Sequence, residues 1–177
     1  MFRLKKTHLC LLLLLFDFSS LCFGQSGNPS TAMGHIVAEV ITVYSATETA
    51  QMNFGRFAPG SEGGEIILTP SGTLSVRGNI YTGNGTHNAA SFYISGDPNA
   101  SFTVSLPQTP VFLKHISSSK TMMIEDWIAN TGTGIGSGIL EDGAQTVFVG
   151  ATLKVGSLQD NPVGVYAGTY TISFDFN

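Results

Sequence analysis

The stretch at residues 164–177, "GVYAGTYTISFDFN", places an apolar residue at every second position, and this restricts the possible folds more than any other feature. Its large apolar side chains are those of Tyr166, Tyr170, Ile172, Phe174 and Phe176. Successive side chains of a β-strand point to opposite faces, so the pattern predicts one apolar and one polar face. Burying these five side chains at about 1.5–3 kcal/mol each would contribute roughly 7–15 kcal/mol. That contribution is as large as the net stability of a typical domain, about 5–15 kcal/mol. We therefore expect this apolar face to belong to the core and the backbone edge of the strand to be paired or covered.

The same period of two recurs through the chain, and no amphipathic helix of useful length is present. The alternating runs are "TLSVRG" with Leu74 and Val76, "ASFYISG" with Phe92 and Ile94, "ASFTVSLP" with Phe102 and Val104, and "TVFVGATLKVG" with Val147, Val149, Ala151, Leu153 and Val155. Turn-forming residues are clustered at 59–64, 82–88, 96–100, 141–144 and 159–164. Short strands separated by such turns predict an all-β sandwich of antiparallel strands.

The first 24 residues have the pattern of a cleaved secretory signal peptide: a basic start is followed by an apolar run at 9–16 that is too short to span a bilayer. We predict cleavage before Gln25. The alternative is lipid attachment at Cys22, although the preceding Leu21 is bulkier than a lipobox favours. Both cysteines, Cys10 and Cys22, fall in this segment.

The predicted organisation is therefore a signal peptide at 1–24, a polar segment at 25–35 and a single β-sandwich domain at 36–177. We expect a secreted protein, in the periplasm or at the outer cell surface of a bacterium, with no transmembrane segment in the mature chain. Acidic residues outnumber basic ones by 12 to 8, for a formal net charge of −4, and no basic patch is present. Nucleic acid is accordingly not an expected partner.

Several of these motifs together resemble a known family. "MNFGRFAPGSEGG", "LTPSGTLSVRGNI", "ASFYISGDPNASFTVSLP", "FVGATLKVG" and "GVYAGTYTISFDFN" are similar to the bacterial secreted family known as domain of unknown function 4402, over about residues 36–177. That family is similar in pattern to spore-coat-U-like and chaperone–usher pilin subunits. The resemblance implies an immunoglobulin-like or pilin-like sandwich of about 8–10 strands and no established catalytic residues.

The resemblance also implies a form of assembly in which one subunit supplies a strand to its neighbour, with backbone pairing for affinity and alternate side chains in pockets. The best donor is "HIVAEVITVYS", in which Ile36, Ala38 and Val40 alternate with the intervening residues. The same stretch also has the pattern of the domain's own first strand, so both self-completed and donor-completed forms remain open. The expected strand-pairing interface consists of Ile36, Ala38, Val40, Tyr170, Ile172 and Phe174.

No catalytic, cofactor-binding or metal-binding residue is predicted. The "SSSK" at 117–120 lacks the partner motifs of penicillin-recognising enzymes, and the glycines at 132–138 lack the Lys-Ser or Lys-Thr of a P-loop. The histidines His35, His87 and His115 share no ligand spacing.

We therefore expect a non-enzymatic secreted or cell-surface structural or adhesive subunit. One form of such a subunit is a fimbria-like component that pairs with itself or with other surface subunits by β-augmentation. The alternative is a monomeric extracellular module that recognises a glycan or a surface protein through its loops. Its candidate ligand residues are Asn84 and His87 in the 82–88 loop, Gly134 in the 131–139 loop, and Trp127, the single tryptophan.

Overall fold

The computed structural model describes residue 33 and residues 35–177. The signal peptide, the Cys22 alternative and most of the 25–35 segment lie outside these residues. Residues 40–177 form one compact unit, which contains every strand of the described chain. The strands are β1 (Ser45–Ala50), β2 (Phe57–Leu68), β3 (Leu74–Thr82), β4 (Ala90–Ser95), β5 (Ser101–Ser105), β6 (Val111–His115), β7 (Thr121–Asn130), β8 (Ser137–Ile139), β9 (Ala144–Val155), β10 (Tyr166–Ala167) and β11 (Ser173–Phe176).

The strands form two antiparallel sheets, in which β9 is the centre of the larger one. That sheet has the order β1-β4-β9-β7-β6-β10, with β2 pairing with both β9 and β3, and the smaller sheet has the order β11-β5-β8. One edge of β9 pairs with β7, while its other edge pairs first with β4 and then with β2. The prediction of an all-β, sandwich-like fold is confirmed. The short β8 and the division of the C-terminal stretch bring the count to eleven strands among the described residues.

Two apolar clusters fill the domain. The sandwich cluster lies between the two sheets and consists of Ala90, Ile94, Phe102, Val104, Ala129, Leu140, Val147 and Val149. The groove cluster lies on the larger sheet and consists of Phe54, Ile66, Leu68, Ile80, Met122, Ile124, Ala151, Leu153 and Val155. Met52 and Trp127 are partly buried against both clusters. The alternation in β9 predicts this arrangement correctly, because all five of its odd-numbered apolar residues from 147 to 155 are buried.

The composition at 59–64 predicts a turn, whereas the stretch lies inside β2. The ladder between β2 and β3 is interrupted there: Pro59 pairs with Ile80 and Gly64 pairs with Gly78, so residues 60–63 bulge out opposite Asn79. Gly63 and Gly78 have positive φ angles of 68° and 84°, and a Cβ at Gly78 would lie 2.8 Å from the carbonyl oxygen of Gly63. The glycines here allow a bulge in which the two backbones approach closely. A bulge of this kind has the same glycine-rich composition as a turn.

The alternation of buried and exposed residues along β7 reverses in its second half. Met122 and Ile124 are buried, but Ile128, which has the same parity, is 48% exposed. A register shift between Glu125 and Ile128, with φ at 51° for Asp126, inserts an extra residue into the strand. This bulge reverses the alternation and turns Trp127 toward the core.

The C-terminal alternating stretch is divided between the two sheets. β10 pairs with β6 in the larger sheet and β11 pairs with β5 in the smaller one, while residues 168–172 belong to neither ladder. The prediction that its apolar face packs on the core is confirmed, since the five large side chains are partly buried against the two clusters. The prediction of one continuous strand is wrong, because the stretch crosses from one layer to the other.

On the outer face of the larger sheet, Lys154 lies between two carboxylates. Its Nζ is 2.5 Å from Oε1 of Glu65 and 2.9 Å from Oε1 of Glu125. The hydrogen bond from Lys154 lowers the pKa of Glu65, and the two carboxylates raise the pKa of Lys154 to about 12.

These shifts set a pH dependence of stability. Because the pKa of Glu65 is lowered in the folded state, its ionised carboxylate stabilises the fold above pH 4.5, the ordinary pKa of the group. That contribution is lost as the pH falls through the folded-state pKa. The raised lysine pKa contributes below 10.5 and is lost as the pH rises through about 12. We expect Lys154→Met to flatten the fall in the free energy of unfolding on acidification below about pH 4.5, measured by urea unfolding, because Glu65 then loses its main partner. Lys114→Met, at an exposed position on β6, is the control and should leave the fall unchanged.

Candidate functional site

Residues 36–43, called here the exposed segment, form an apolar run without regular secondary structure. Its large aliphatic side chains are between 75% and 98% exposed, and they are Ile36, Val37, Val40, Ile41 and Val43. Scattered exposed apolar residues are normal on a protein surface, whereas a contiguous group marks an interaction site. β-branched residues favour strands, so the segment has a strand-forming composition without a strand partner among the described residues. Of the stretch 35–45, which has the pattern of both a donor and a first strand, only Ser45 lies in a strand, since β1 begins there.

The exposed segment is anchored at its C-terminal end by Tyr44. The Tyr44 hydroxyl donates a hydrogen bond to Oδ2 of Asp97 at 2.9 Å, and its ring stacks on Phe176 with centroids 4.5 Å apart. The hydrogen bond raises the pKa of Tyr44, while hydrogen bonds from Thr42 and Tyr44 lower the pKa of Asp97. These contacts fix the point at which the segment leaves the domain, beside the end of β11.

A second feature, called here the groove, is a cavity of about 1050 Å³ between residues 51–59 and residues 162–170. Its volume is slightly above the range of about 300–1,000 Å³ that is usual for ligand pockets. The apolar side chains that line it include those of Phe57, Val111, Leu113, Met122, Ile124, Leu153 and Tyr170. The groove therefore opens onto the groove cluster of the core.

Backbone outside the strand ladders borders the groove on two sides. On one side, residues 51–56 are attached to the rest of the domain by the isolated bridge between Asn53 and Asn88. On the other side, residues 168–172 lie outside both ladders. The larger sheet also has an open edge at the groove, because Tyr166 and Ala167 of β10 line the groove and, within the described chain, β10 pairs only with β6. Such edges are where an added strand forms its hydrogen bonds.

Tyr170 lies at the junction between the groove and the core. Its ring centroid is 4.7 Å from that of Trp127 and 6.4 Å from that of Phe92. Burial, with a smaller effect of the Glu48 charge, raises the pKa of Tyr170 to about 12. The Tyr170 hydroxyl and the Trp127 Nε1 are both buried and have no hydrogen-bond partner among the described residues.

We expect Tyr170→Phe to raise the free energy of unfolding by about 1 kcal/mol, because it removes a buried unsatisfied hydroxyl and keeps the ring. Tyr166→Phe is the matched control: the Tyr166 hydroxyl donates to the Pro162 carbonyl oxygen at 3.0 Å, so its loss should be destabilising. Urea unfolding of the two variants measures both values. A stability loss in Tyr170→Phe equal to that in Tyr166→Phe would show that the Tyr170 hydroxyl is paired.

The candidate ligand-loop residues are not brought together in one site. Asn84 and His87 are exposed in the loop between β3 and β4, which is held by a backbone hydrogen bond from Gly83 to Arg56. Gly134 lies in the separate loop between β7 and β8, and the "SSSK" stretch at 117–120 is the connection between β6 and β7. Trp127, a candidate to act with these loops, instead lies in β7, where the bulge directs it inward.

Within residue 33 and residues 35–177, no group of three or more His, Cys, Asp and Glu side chains is arranged to hold a metal ion. The part of the chain that the structure describes also contains no helix long and apolar enough to cross a membrane.

The groove and the Tyr44 anchor could not be recognised in the sequence. Residues 51–59 stand out only as part of the "MNFGRFAPGSEGG" motif, and nothing in their composition indicates that they face 162–170 across a cavity. The exposed segment can be recognised in the sequence by its strand-forming composition, although the sequence leaves open whether it pairs with its own domain or with a neighbouring subunit.

Comparison with known families agrees with the motif pattern. The family model described as Domain of unknown function (DUF4402) matches residues 44–176. The matched region extends from Tyr44 to Phe176, the two aromatic residues that stack at the base of the exposed segment. No curated protein matches the chain.

Proposed function

The chain belongs to the family Domain of unknown function (DUF4402), and we propose that it is a non-enzymatic structural or adhesive subunit that assembles through β-strand pairing. It is secreted and works in the periplasm or at the outer surface of a bacterium. Its partners are other copies of itself or other surface subunits. The proposal takes up the expectation, drawn from the sequence motifs alone, that this family resembles spore-coat-U-like and pilin-like domains.

The observation that carries the proposal is the exposed segment. Five large aliphatic side chains within eight residues are at least 75% exposed, and they lie next to a domain in which every described strand is paired. Leaving such a run in water is unfavourable, and pairing it as a strand would satisfy both its backbone and one face of its side chains.

The energies involved favour assembly that depends on concentration. Pairing the segment as a strand buries one face, which carries two or three of the five aliphatic side chains, and this stabilises by about 3–9 kcal/mol at about 1.5–3 kcal/mol each. Association itself costs about 4–15 kcal/mol in lost freedom of motion. Because the two ranges overlap, the expected oligomers form in proportion to concentration rather than irreversibly.

The test is the mass in solution of purified residues 25–177 over a wide range of concentration. We expect the mass to rise with concentration, and Ile36→Asp with Val40→Asp to remain monomeric. The control is Ile116→Asp with Ile135→Asp, which adds the same charge at two other exposed apolar positions and should still assemble. A wild-type chain that stays monomeric at every concentration would contradict the proposed function.

A further inference from the structure

We propose that the groove is the binding site of a small amphipathic acid, namely a single acyl chain that ends in one carboxylate. The acyl chain lies on the groove cluster, and the carboxylate pairs with Arg56 at the mouth of the groove. This inference goes beyond the proposed function, because it needs one chain only and makes no use of the open backbone edges.

The groove has the size and the apolar floor of a small-molecule site. Its volume of about 1050 Å³ is on the scale of pockets that enclose a small ligand. The floor is formed by Met122, Ile124 and Leu153, which are at most 4% exposed and belong to one apolar cluster. Phe57 and Leu113 are partly buried against the same cluster and extend this surface. An acyl chain that replaces water on such a surface removes apolar area from water on both sides, which is favourable.

The polar groups along the groove are largely engaged within the domain. Asn53, Asn88 and Asn161 line the groove, and the amide of each hydrogen-bonds to a backbone group of the domain itself. The backbones of Asn53 and Asn88 pair in both directions, and the Arg56 carbonyl oxygen accepts from the Gly83 N–H at 2.8 Å. A sugar carries many hydroxyl groups and would find few partners here. A ligand with a single polar end needs only one.

Arg56 provides that one partner. It is the one charged side chain among the described residues that line the groove, and it is exposed, so it lies where solvent reaches the groove. Its aliphatic stem packs along Gly85, where a Cβ would lie 3.4 Å from the Arg56 Cγ. Within the described chain the Arg56 guanidinium forms no ion pair. A guanidinium binds a carboxylate through two parallel hydrogen bonds, so its charge and geometry favour an acid over a neutral lipid.

The single tryptophan lies behind the groove and reports on its contents. Trp127 is partly buried against the groove cluster, and its ring centroid is 4.7 Å from that of Tyr170, which lines the groove. A ligand in the groove displaces water beside Tyr170 and so changes the surroundings of the Trp127 ring. We therefore expect ligand binding to change the tryptophan emission without any added label.

Titration with dodecanoate below its micelle concentration tests the inference, by calorimetry and by tryptophan emission. The wild-type chain is compared at low protein concentration with the Ile36→Asp, Val40→Asp variant, and both should bind one dodecanoate per chain. Affinity should rise from decanoate to tetradecanoate, by up to about fourfold for each added CH₂, the factor for its full burial. Affinity that does not depend on chain length would overturn the inference, as would binding that appears only above the micelle concentration.

Removal of the Arg56 charge tests the head-group contact. Arg56→Gln should weaken dodecanoate binding by about two- to fivefold, as expected for one exposed ion pair, and should leave binding of the uncharged dodecanol unchanged. Arg77→Gln is the control, because Arg77 is exposed and does not line the groove. Equal losses in the two variants, or an equal loss for dodecanol, would contradict the pairing of the carboxylate with Arg56.

A charge placed inside the groove tests where the acyl chain lies. Leu158→Asp changes an exposed residue that lines the groove, and it should weaken dodecanoate binding by about tenfold or more because it puts a carboxylate beside the chain. Ile135→Asp adds the same charge at an exposed position outside the groove and should bind like wild type. Wild-type affinity in Leu158→Asp would overturn the groove as the site.

Vesicles of phosphatidylglycerol distinguish a free acid from a membrane lipid with the same acyl and anionic chemistry. We expect dodecanoate to bind and the chain to remain in solution when the vesicles are sedimented. Sedimentation of the chain with the vesicles, without binding of dodecanoate, would assign the groove to membrane contact and overturn the inference. These results are independent of the mass measurements that test assembly, so either proposal can fail while the other stands.

Discussion

Replacing Phe102 with alanine is expected to lower the free energy of unfolding by about 3–5 kcal/mol, the range for deleting a buried aromatic side chain. Phe102 is 1% exposed and is the largest fully buried side chain of the sandwich cluster. It lies in β5, directly opposite Phe176 of β11, with ring centroids 6.3 Å apart. The substitution therefore removes core packing and also the support of the C-terminal stretch that borders the groove.

Phe112→Ala is the matched control, because it deletes the same side chain at a position that is 51% exposed. Surface substitutions of this kind usually change stability by about 0.5 kcal/mol or less. Urea unfolding monitored by circular dichroism compares the two variants. Equal losses for Phe102 and Phe112 would contradict the placement of β5 over the sandwich cluster.

Substitution of Gly150 by alanine is expected to destabilise by about 3 kcal/mol, at the upper end of the overpacking range. Gly150 lies in β9 between the part that pairs with β4 and the part that pairs with β2. A Cβ there would overlap the carbonyl oxygen of Leu68 and lie 2.7 Å from the carbonyl carbon of Thr69. Backbone atoms cannot rotate away as a side chain can. The end of β2 would therefore have to move away from β9 at the point where β9 changes its pairing partner.

Gly85→Ala is the control, since a Cβ at that position approaches nothing closer than 3.4 Å and φ is not in the left-handed region. It should change the free energy of unfolding by less than about 1 kcal/mol. If Gly150→Ala unfolds at the same urea concentration as Gly85→Ala, the tight contact between β9 and the end of β2 is absent in solution.

The main layout of the fold could be predicted because burial and periodicity agree in the long strands. In β9 the odd-numbered residues from Val147 to Val155 are all apolar and all buried, and such a continuous apolar face fixes the register of the strand. The turn at Asp142 and Gly143, both with positive φ, is equally clear from its composition.

The deviations arise where tertiary contacts override a local pattern. Nothing in the sequence of β7 indicates the bulge at Asp126, since a non-glycine residue with positive φ is held there by pairing with β9. Glycines at 60–64 suggest a turn in isolation, but they form a bulge within β2, because the ladder to β3 resumes at Gly64 after the pair at Pro59.

The candidate site was predictable only in part for the same reason. The apolar character of Ile36 and Val40 is visible in the sequence, whereas their exposure depends on which strand occupies the edge of the sheet. The groove joins residues 51–59 with residues 162–170, which are more than a hundred positions apart, and its volume depends on how the C-terminal stretch crosses between layers. No local pattern specifies that separation.

Hydrogen exchange of the exposed segment tests the central claim most directly, because it reports whether residues 36–43 become a paired strand. Purified wild-type chains are compared with the Ile36→Asp, Val40→Asp variant by mass spectrometry, at low and at high protein concentration. We predict fast exchange in the dilute state and in the variant, and strong protection of residues 36–43 together with 168–172 in the concentrated wild-type chain. Fast exchange of residues 36–43 in assembled wild-type chains would contradict strand pairing as the basis of assembly.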